Sequence, residues 1–367
     1  AWLPDGRGLL YSSSRASTMP YLPTFALWQV GLDGGAGRQL TSDEVSYVEP
    51  DVHADGRIAV ARLQIAVDLW KYPVDGSPIE NVRNATRLTH QTAHVQTPTV
   101  SSDGTAVAFL SDSGGHANIW ILTPATGELR QITHERDASV SVGVPIWSPD
   151  GRSLAFVSSR GNPGLSFGIW TVSPDGGNLR KLVEHGLGAA WSADGRSVYY
   201  VERASGAILR VPADGGTPRT VRPDGARNVI GHDGSTLFYL DERPLVDGTA
   251  EFLIKAASPD DGPSRVVGSV PARRTDSWQI VNPALSPDGR WLAQPLIDGF
   301  TTNIWTLPTS GGEWRQITDF GERVTFIARR VDWSHDGRFI VAAVAEGDAD
   351  IFLLEGLAPG RATSVGR

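Results

Sequence analysis

Trp147-Ser148-Pro149-Asp150-Gly151-Arg152 opens the most legible repeat in the chain. It continues through the apolar run Leu154-Ala155-Phe156-Val157, then Ile169-Trp170, then Asp175-Gly176-Gly177, and closes with residues 179–182. Short apolar runs rich in β-branched and aromatic residues, each bounded by a turn signal, read as four strands. Pro149 and Asp150 suit the centre of a type I turn and Gly151 the left-handed position behind it. The first two strands therefore form a tight hairpin with a bulge.

On either side of this unit, the Asp-Gly turn recurs at Asp5, Asp55, Asp103, Asp150, Asp194, Asp233, Asp288 and Asp336. Its mean interval matches the ~40 to 50 residues of propeller blades. The third strand recurs as Leu27-Trp28, Leu69-Trp70, Ile119-Trp120, Ile169-Trp170 and Ile304-Trp305, and without tryptophan near Leu209, Leu253 and Phe352. The outer strand recurs as Arg38-Gln39-Leu40-Thr41, Arg87-Leu88-Thr89, Arg130-Gln131-Ile132-Thr133 and Arg315-Gln316-Ile317-Thr318. Such units gain a core only by stacking on neighbours, and closing the ring protects most sheet edges. The expectation is all-β: a single eight-bladed β-propeller of four-stranded antiparallel blades, one domain over residues 1–367. Its blades fall at 1–41, 50–89, 98–133, 145–183, 189–221, 228–268, 283–318 and 331–365.

These motifs resemble the TolB-type, WD-like propeller repeats, and the resemblance covers nearly the whole chain. It implies a fold more than an activity, because one fold hosts many functions. Residues 333–354, with Ala342-Ala343-Val344-Ala345-Glu346-Gly347-Asp348-Ala349-Asp350, resemble the end of propellers fused behind bacterial serine/threonine kinases or winged-helix regulators. That likeness implies an upstream kinase or DNA-binding domain. Ala1-Trp2 begins inside a first strand and the eighth unit shows no clear outer strand, so either residues upstream of Ala1 or the tail 361–365 completes the ring.

Composition narrows the function. With 367 residues, 40% hydrophobic and 20% charged, the chain can bury a sizeable core throughout. A net charge of -8 repels a phosphate backbone, which argues against nucleic acid. No apolar run approaches the ~18 residues of a membrane span and no signal-peptide pattern opens the chain, so no membrane contact is expected. The absence of cysteine removes disulfides and thiolate chemistry and suits either redox compartment, with an extracytoplasmic place preferred over a cytoplasmic one. The G-x-S-x-G elbow, H-E-x-x-H, phosphate-binding glycine loop and calcium loop are all missing, so no catalytic residue, cofactor or metal is assigned.

A propeller places two kinds of loop on each face. The Asp-Gly turns are nearly uniform, whereas the opposite face carries loops of varied length and composition, which makes it the binding-face candidate. Its between-blade loops are 42–51, 90–99, 134–146, 184–190, 222–229, 269–284 and 319–332. Three of them carry Arg222 and Arg227, Arg273 and Arg274, and Arg323, Arg329 and Arg330, whereas the first carries Tyr47 among acidic residues. A basic sector of this kind suits an acidic peptide or a sugar acid through bidentate guanidinium contacts. The competing reading is local neutralisation by Asp224, Asp276, Glu322 and Asp332.

Nine of the twelve tryptophans stand in register at repeat positions and are packing residues. Trp278 lies off register beside the arginine pair and is a candidate contact. His94, with Gln96, is placed to approach the channel mouth and meet His134 or Glu135, although solvated loop histidines are the simpler reading. Arg15, Arg160, Arg203 and Arg243 recur after second strands, which points to a shared structural role. His53, His232 and His335 substitute turn residues.

The candidate binding set is thus Arg227, Arg273, Arg274, Trp278, Arg323, Arg329, Arg330, Tyr47, His94 and His134. The functional expectation is a non-catalytic ligand- or protein-binding propeller, as a sensor or interaction domain of a larger bacterial signalling protein or as a TolB-like scaffold. The alternative is a propeller-type lyase or hydrolase acting on a carbohydrate or peptide at the channel mouth.

Overall fold

A computed structural model describes residues 1–354 except 21, 44, 91–92, 163–165, 224, 246–249, 261, 272–273 and 275–281. The fold is an all-β propeller. Strands β1 (Gly8–Ser13), β2 (Ala26–Gly31) and β3 (Arg38–Gln39) form one sheet. β4 (Ser46–Val52), the long β5 (Ile58–Pro73), the helix α1 (Pro78–Arg83) and β6 (Thr86–Arg87) follow.

Five four-stranded antiparallel sheets come next. They are β7 (Val95–Val100), β8 (Val107–Ser111), β9 (Asn118–Thr123) and β10 (Glu128–Gln131); then β11 (Val142–Trp147), β12 (Leu154–Ser158), β13 (Gly168–Val172) and β14 (Arg180–Val183). β15 (Leu187–Trp191), β16 (Ser197–Val201), β17 (Ile208–Pro212) and β18 (Arg219–Arg222) make the third of these sheets. β19 (Asn228–His232), β20 (Leu237–Pro244), β21 (Ala250–Ala257) and β22 (Arg265–Pro271) make the fourth. β23 (Ala284–Leu285), β24 (Trp291–Asp298), β25 (Thr301–Pro308) and β26 (Arg315–Gln316) make the fifth. Finally β27 (Thr325–Trp333) and β28 (Phe339–Leu354) join β5, which pairs on its far side with β4 and β6.

The Asp-Gly hairpins form as their chemistry demands. Gly151 sits at φ +69°, Ser148 Oγ donates to Asp150 Oδ1 at 2.6 Å, and Arg152 N–H donates to the same oxygen at 3.0 Å. Ser101 with Asp103, Ser192 with Asp194, Ser286 with Asp288 and Ser334 with Asp336 repeat the hydroxyl bond. In the outer strands the threonine of the Arg-Gln-Leu/Ile-Thr motif accepts a third-strand N–H. Thr41, Thr89, Thr133 and Thr318 take those of Leu27, Leu69, Ile119 and Ile304.

First-strand tryptophans lock neighbouring sheets. The indole N–H of Trp147 donates to Thr99 O, that of Trp191 to Ile146 O and that of Trp333 to Ala284 O. Burying a large apolar ring while satisfying its single donor is the packing role expected of them.

The chain forms two compact units. The larger contains residues 67–346 with Met19–Tyr21, and the smaller contains Ala1–Thr18, Leu22–Ala66 and Gly347–Arg367. In the larger unit the innermost strands neighbour one another in the order β7, β11, β15, β19, β23, β27 and back to β7. Its six sheets therefore close a ring. The closing sheet takes its inner strands from β27 and the first half of β28, and its outer strands from the second half of β5 and from β6. Val74 N–H donating to Arg338 O extends that seam. In the smaller unit Leu3, Leu10, Leu27, Tyr47, Ile58 and Val60 form the core.

All eight hairpin units are present, and the described strands pair into seven sheets. Strand β5, which carries Leu69-Trp70, lies beside β28 of the eighth unit, and Thr86–Arg87 pairs with β5 on its other side. The outer strand that the eighth unit lacks in sequence thus comes from β5 and β6, and the tail 361–365 lies outside the described residues. The physical reason is edge protection: a ring sealed by strands from distant parts of the chain leaves no unpaired ladder there. The repeat pattern does not predict the helix α1. Ser77 and Glu80 form a capping box around Pro78, and Asn81 Nδ2 donates to Ile317 O at 2.9 Å, tying the helix to the end of β26.

Candidate binding site at the variable-loop mouth

Every innermost strand follows a between-blade loop, so its first residues lie at the variable-loop end of the larger unit's channel. Register shifts break these strands at Gln96/Thr99 in β7, Gly143/Ile146 in β11, Leu187/Ala190 in β15, Val229/Gly231 in β19 and Ile327/Val331 in β27. Thr97 (φ +50°), Val144 (φ +50°), Gly188 (φ +60°) and Arg329 (φ +61°) occupy the left-handed region at these bulges. A positive φ is costly for a β-branched or long side chain, and bulges of this kind re-aim side chains.

Two adjoining strands, β7 and β27, carry the chemically distinctive side of the mouth. They are joined where Val100 N–H donates to Asp332 Oδ2 at 2.9 Å. Two residues before Asp332, Arg330 is buried to 8% exposure, and burial pushes its guanidinium pKa down while Asp332 opposes the shift and Arg329 adds to it. His94, at 7% exposure, donates its backbone N–H to Asp112 Oδ1 at 2.9 Å and holds its ring Nδ1 3.9 Å from Asp112 Oδ2. Among the described residues, His94 Nδ1, Thr97 Oγ1 and Arg330 Nε are buried without a hydrogen-bond partner. Each such group costs about 1–3 kcal/mol when nothing meets it, so a cluster of three marks a place for a ligand, an ion or ordered water.

The other side of the channel is saturated. Asn228 Nδ2 donates to Asn282 Oδ1 at 2.6 Å, Asn282 N–H to Gln294 Oε1 at 3.0 Å, and Gln294 Nε2 to Pro295 O at 2.8 Å.

The sequence-derived basic sector is largely consumed within the chain. Arg274 donates to Asp298 Oδ1 at 2.6 Å and lies 4.3 Å from the Trp305 ring centre, while the Trp305 indole N–H donates to Asp298 Oδ2 at 2.9 Å. Arg227 pairs with Glu242, and Arg323 lies 3.5 Å from Glu346 and over the Phe320 ring. Arg222 Nη1 donates to Gly262 O at 2.7 Å. The acids that take these arginines, Glu242, Asp298 and Glu346, differ from the four named from sequence and lie on second strands of their hairpins. Hairpin pairing carries those acids back beside the loops, which no linear reading displays. Of the acids named from sequence, Asp224 and Asp276 lie outside the described residues, as do Arg273 and Trp278, while Glu322 is exposed and Asp332 stands by Arg330.

Two further candidates have other surroundings. Tyr47 is buried in the smaller unit's core, its hydroxyl donating to Asp43 Oδ2 at 2.7 Å. His134 is exposed beyond an outer strand. The adjacent Glu135 is buried and accepts from the Arg160 guanidinium at 2.8 Å and from the Arg136 and Asp137 amides. No group of three metal-ligating side chains occurs among the described residues. Of the arginines after second strands, Arg15 and Arg160 act as cations over aromatic rings, whereas Arg243 pairs with Glu251. Arg15 stacks 3.5 Å from the Trp28 ring centre and Arg160 lies 5.7 Å from that of Trp170. Sequence reasoning missed Thr97, whose only signal is its alignment with the other bulge positions.

Comparison with known proteins agrees with this architecture. Residues 47–207 match the family model described as the Tricorn protease N-terminal beta propeller domain. A relative from Bacillus subtilis, named uncharacterized peptidase YuxL, is 30% identical over 210 residues, covering 54% of this chain and 29% of that protein. The Tol-Pal system protein TolB of Francisella tularensis is 36% identical over 67 residues, covering 18% of this chain and 15% of that protein. The chain thus spans less than a third of the length of either. The structure of a putative TolB from Agrobacterium tumefaciens superposes with a TM-score of 0.56 at 16% identity, covering 77% of this chain and 99% of that one. The repeat motifs, the four-stranded antiparallel sheets and these likenesses together identify the fold as a β-propeller, similar in its repeats to TolB.

Proposed function

We propose that this chain is a non-catalytic protein-binding propeller whose variable-loop mouth receives a segment of a partner protein through an acidic group seated at Arg330. The observation that carries the reading is the set of three buried, unmatched polar atoms at His94, just before β7, Thr97 on β7 and Arg330 on β27, with the threonine hydroxyl and the guanidinium as donors. A carboxylate is the ligand that a buried guanidinium and a hydroxyl both satisfy, because charge-assisted bonds to guanidinium are the strong ones. Arg330 stays charged when buried, as guanidinium pKa values lie far above neutrality.

Panning random dodecapeptides displayed on phage against the intact chain tests this. Enriched peptides should carry Asp or Glu, and Arg330→Met should abolish their capture while leaving the melting temperature unchanged or raised, since an apolar isostere removes a buried charge. Acid-free enriched peptides, or capture that survives Arg330→Met, would remove the mouth from consideration.

The roles of sensor in a signalling protein and of free scaffold are finer forms of the same reading. A second reading draws on the Bacillus subtilis peptidase relative: the propeller presents peptides to a catalytic region of a larger protein, or itself acts as a hydrolase or lyase. Turnover of a fluorogenic peptide by the chain alone distinguishes an enzyme from a binding module.

A further inference from the structure

A second concavity lies on the opposite, Asp-Gly-turn face of the larger unit, between the β23–β26 sheet and the closing sheet. It has a volume of about 460 Å³ and is lined by Trp291, Trp333, Asp288, Asp336, Arg315 and Ile317, among others. A cleft of that size falls within the ~300–1,000 Å³ of small-molecule sites.

The wall is particular to this pair of sheets. Each turn serine accepts the N–H of the residue five places on, which aligns the repeats by hydrogen bond. That residue is Ala106, Ser153 and Ser197 in three other sheets, but Trp291 here. The indole of Trp291 is only partly buried, whereas Trp333 is 7% exposed and spends its N–H on Ala284 O. Two carboxylates stand at the rim. Asp288 and Asp336 each use Oδ1 for a serine hydroxyl at 2.6 Å and a backbone N–H at 3.1 Å, and these bonds hold both acids below the usual carboxylate range. Their second oxygens remain as acceptors, and the exposed Arg315 supplies donors.

We infer that this cleft binds a neutral saccharide, with a sugar ring's C–H face on Trp291 and its hydroxyls shared between Asp288, Asp336 and Arg315. An anion would meet two ionised carboxylates, and a cation would meet Arg315. A polyhydroxylated ring uses both signs of rim and the aromatic wall, because its hydroxyls donate and accept while its ring carbons are apolar.

Isothermal titration and saturation-transfer NMR of the intact chain with maltose, cellobiose and N,N′-diacetylchitobiose test the inference. At least one disaccharide should bind saturably with Kd of about 0.1–5 mM. Trp291→Ala should weaken it by at least about tenfold, and Arg315→Ala, an exposed position that leaves the fold intact, by about threefold or more. Absence of saturation by all three sugars up to about 20 mM overturns the inference. So does binding that persists undiminished in both variants, and so does a cleft that takes lysine methyl ester in place of the sugars.

Discussion

At the scale of single residues, small hydrogen-bond decisions set both stability and site. The turn aspartates are the clearest case. Serine hydroxyls, backbone amides and, for most, nearby cations depress Asp103 to about 2 and lower Asp150, Asp194, Asp288 and Asp336 as well. Because the folded pKa lies below the unfolded value, the stability they contribute is fully present above about pH 4 and is lost as pH falls toward the folded values. Thermal melts should hold constant above about pH 5 and fall progressively below pH 4. Replacing Ser101 and Ser148 by alanine together should reduce that acid dependence, whereas an unchanged slope would assign it elsewhere. Gly188 shows a steric decision: a Cβ there would lie 1.9 Å from Asn228 Oδ1, at φ +60°. Gly188→Ala should cost more than about 2 kcal/mol in urea unfolding, with partial recovery in the Gly188→Ala/Asn228→Ala double variant.

At the scale of strands, the recurring Arg-Gln-Leu/Ile-Thr motif has a mechanical meaning. In β10 the Gln131 side chain donates to Thr133 O at 2.8 Å, and Thr133 Oγ1 accepts from Ile119 N–H at 2.9 Å while donating to Asn118 Oδ1 at 2.9 Å. Asn118 Oδ1 in turn accepts the Glu135 N–H at 2.7 Å, so one threonine ties an outer strand to the loop that leaves it. Thr133→Val keeps the volume and loses both bonds at a buried site, which predicts a loss of about 1–3 kcal/mol. The denaturation midpoint should fall with m unchanged, and Thr133→Ser should restore most of it.

At the scale of the whole larger unit, closure is the decisive event. Strand β5 brings Leu69 at 0% exposure and Tyr72 at 2% into the closing sheet, where Tyr72 meets Phe320 edge-on at 5.8 Å. A chain beginning at residue 90 lacks these strands and exposes the edge of β28. Its unfolding should lose cooperativity and its melting temperature should drop by about 10 °C or more, since loss of two buried aromatic and aliphatic side chains alone removes several kcal/mol. A calorimetric trace identical to that of the intact chain would show that the ring does not depend on β5 and β6.

Local chemistry, legible along the chain, sufficed for the β-hairpin unit, its four strands, its packing tryptophans and the propeller class, because turn preferences and strand periodicity act over a few residues. It also separated the uniform face from the variable one. Which strands pair across the closure emerged only on folding, since Leu69-Trp70 reads the same whether it bonds its own hairpin or one some 270 residues away; pairing follows edge protection, not local pattern. The same holds for the site. Arg227, Arg274 and Arg330 look alike in sequence, and burial beside Asp332 singled out the last while Glu242 and Asp298, returned by hairpin folding, consumed the others.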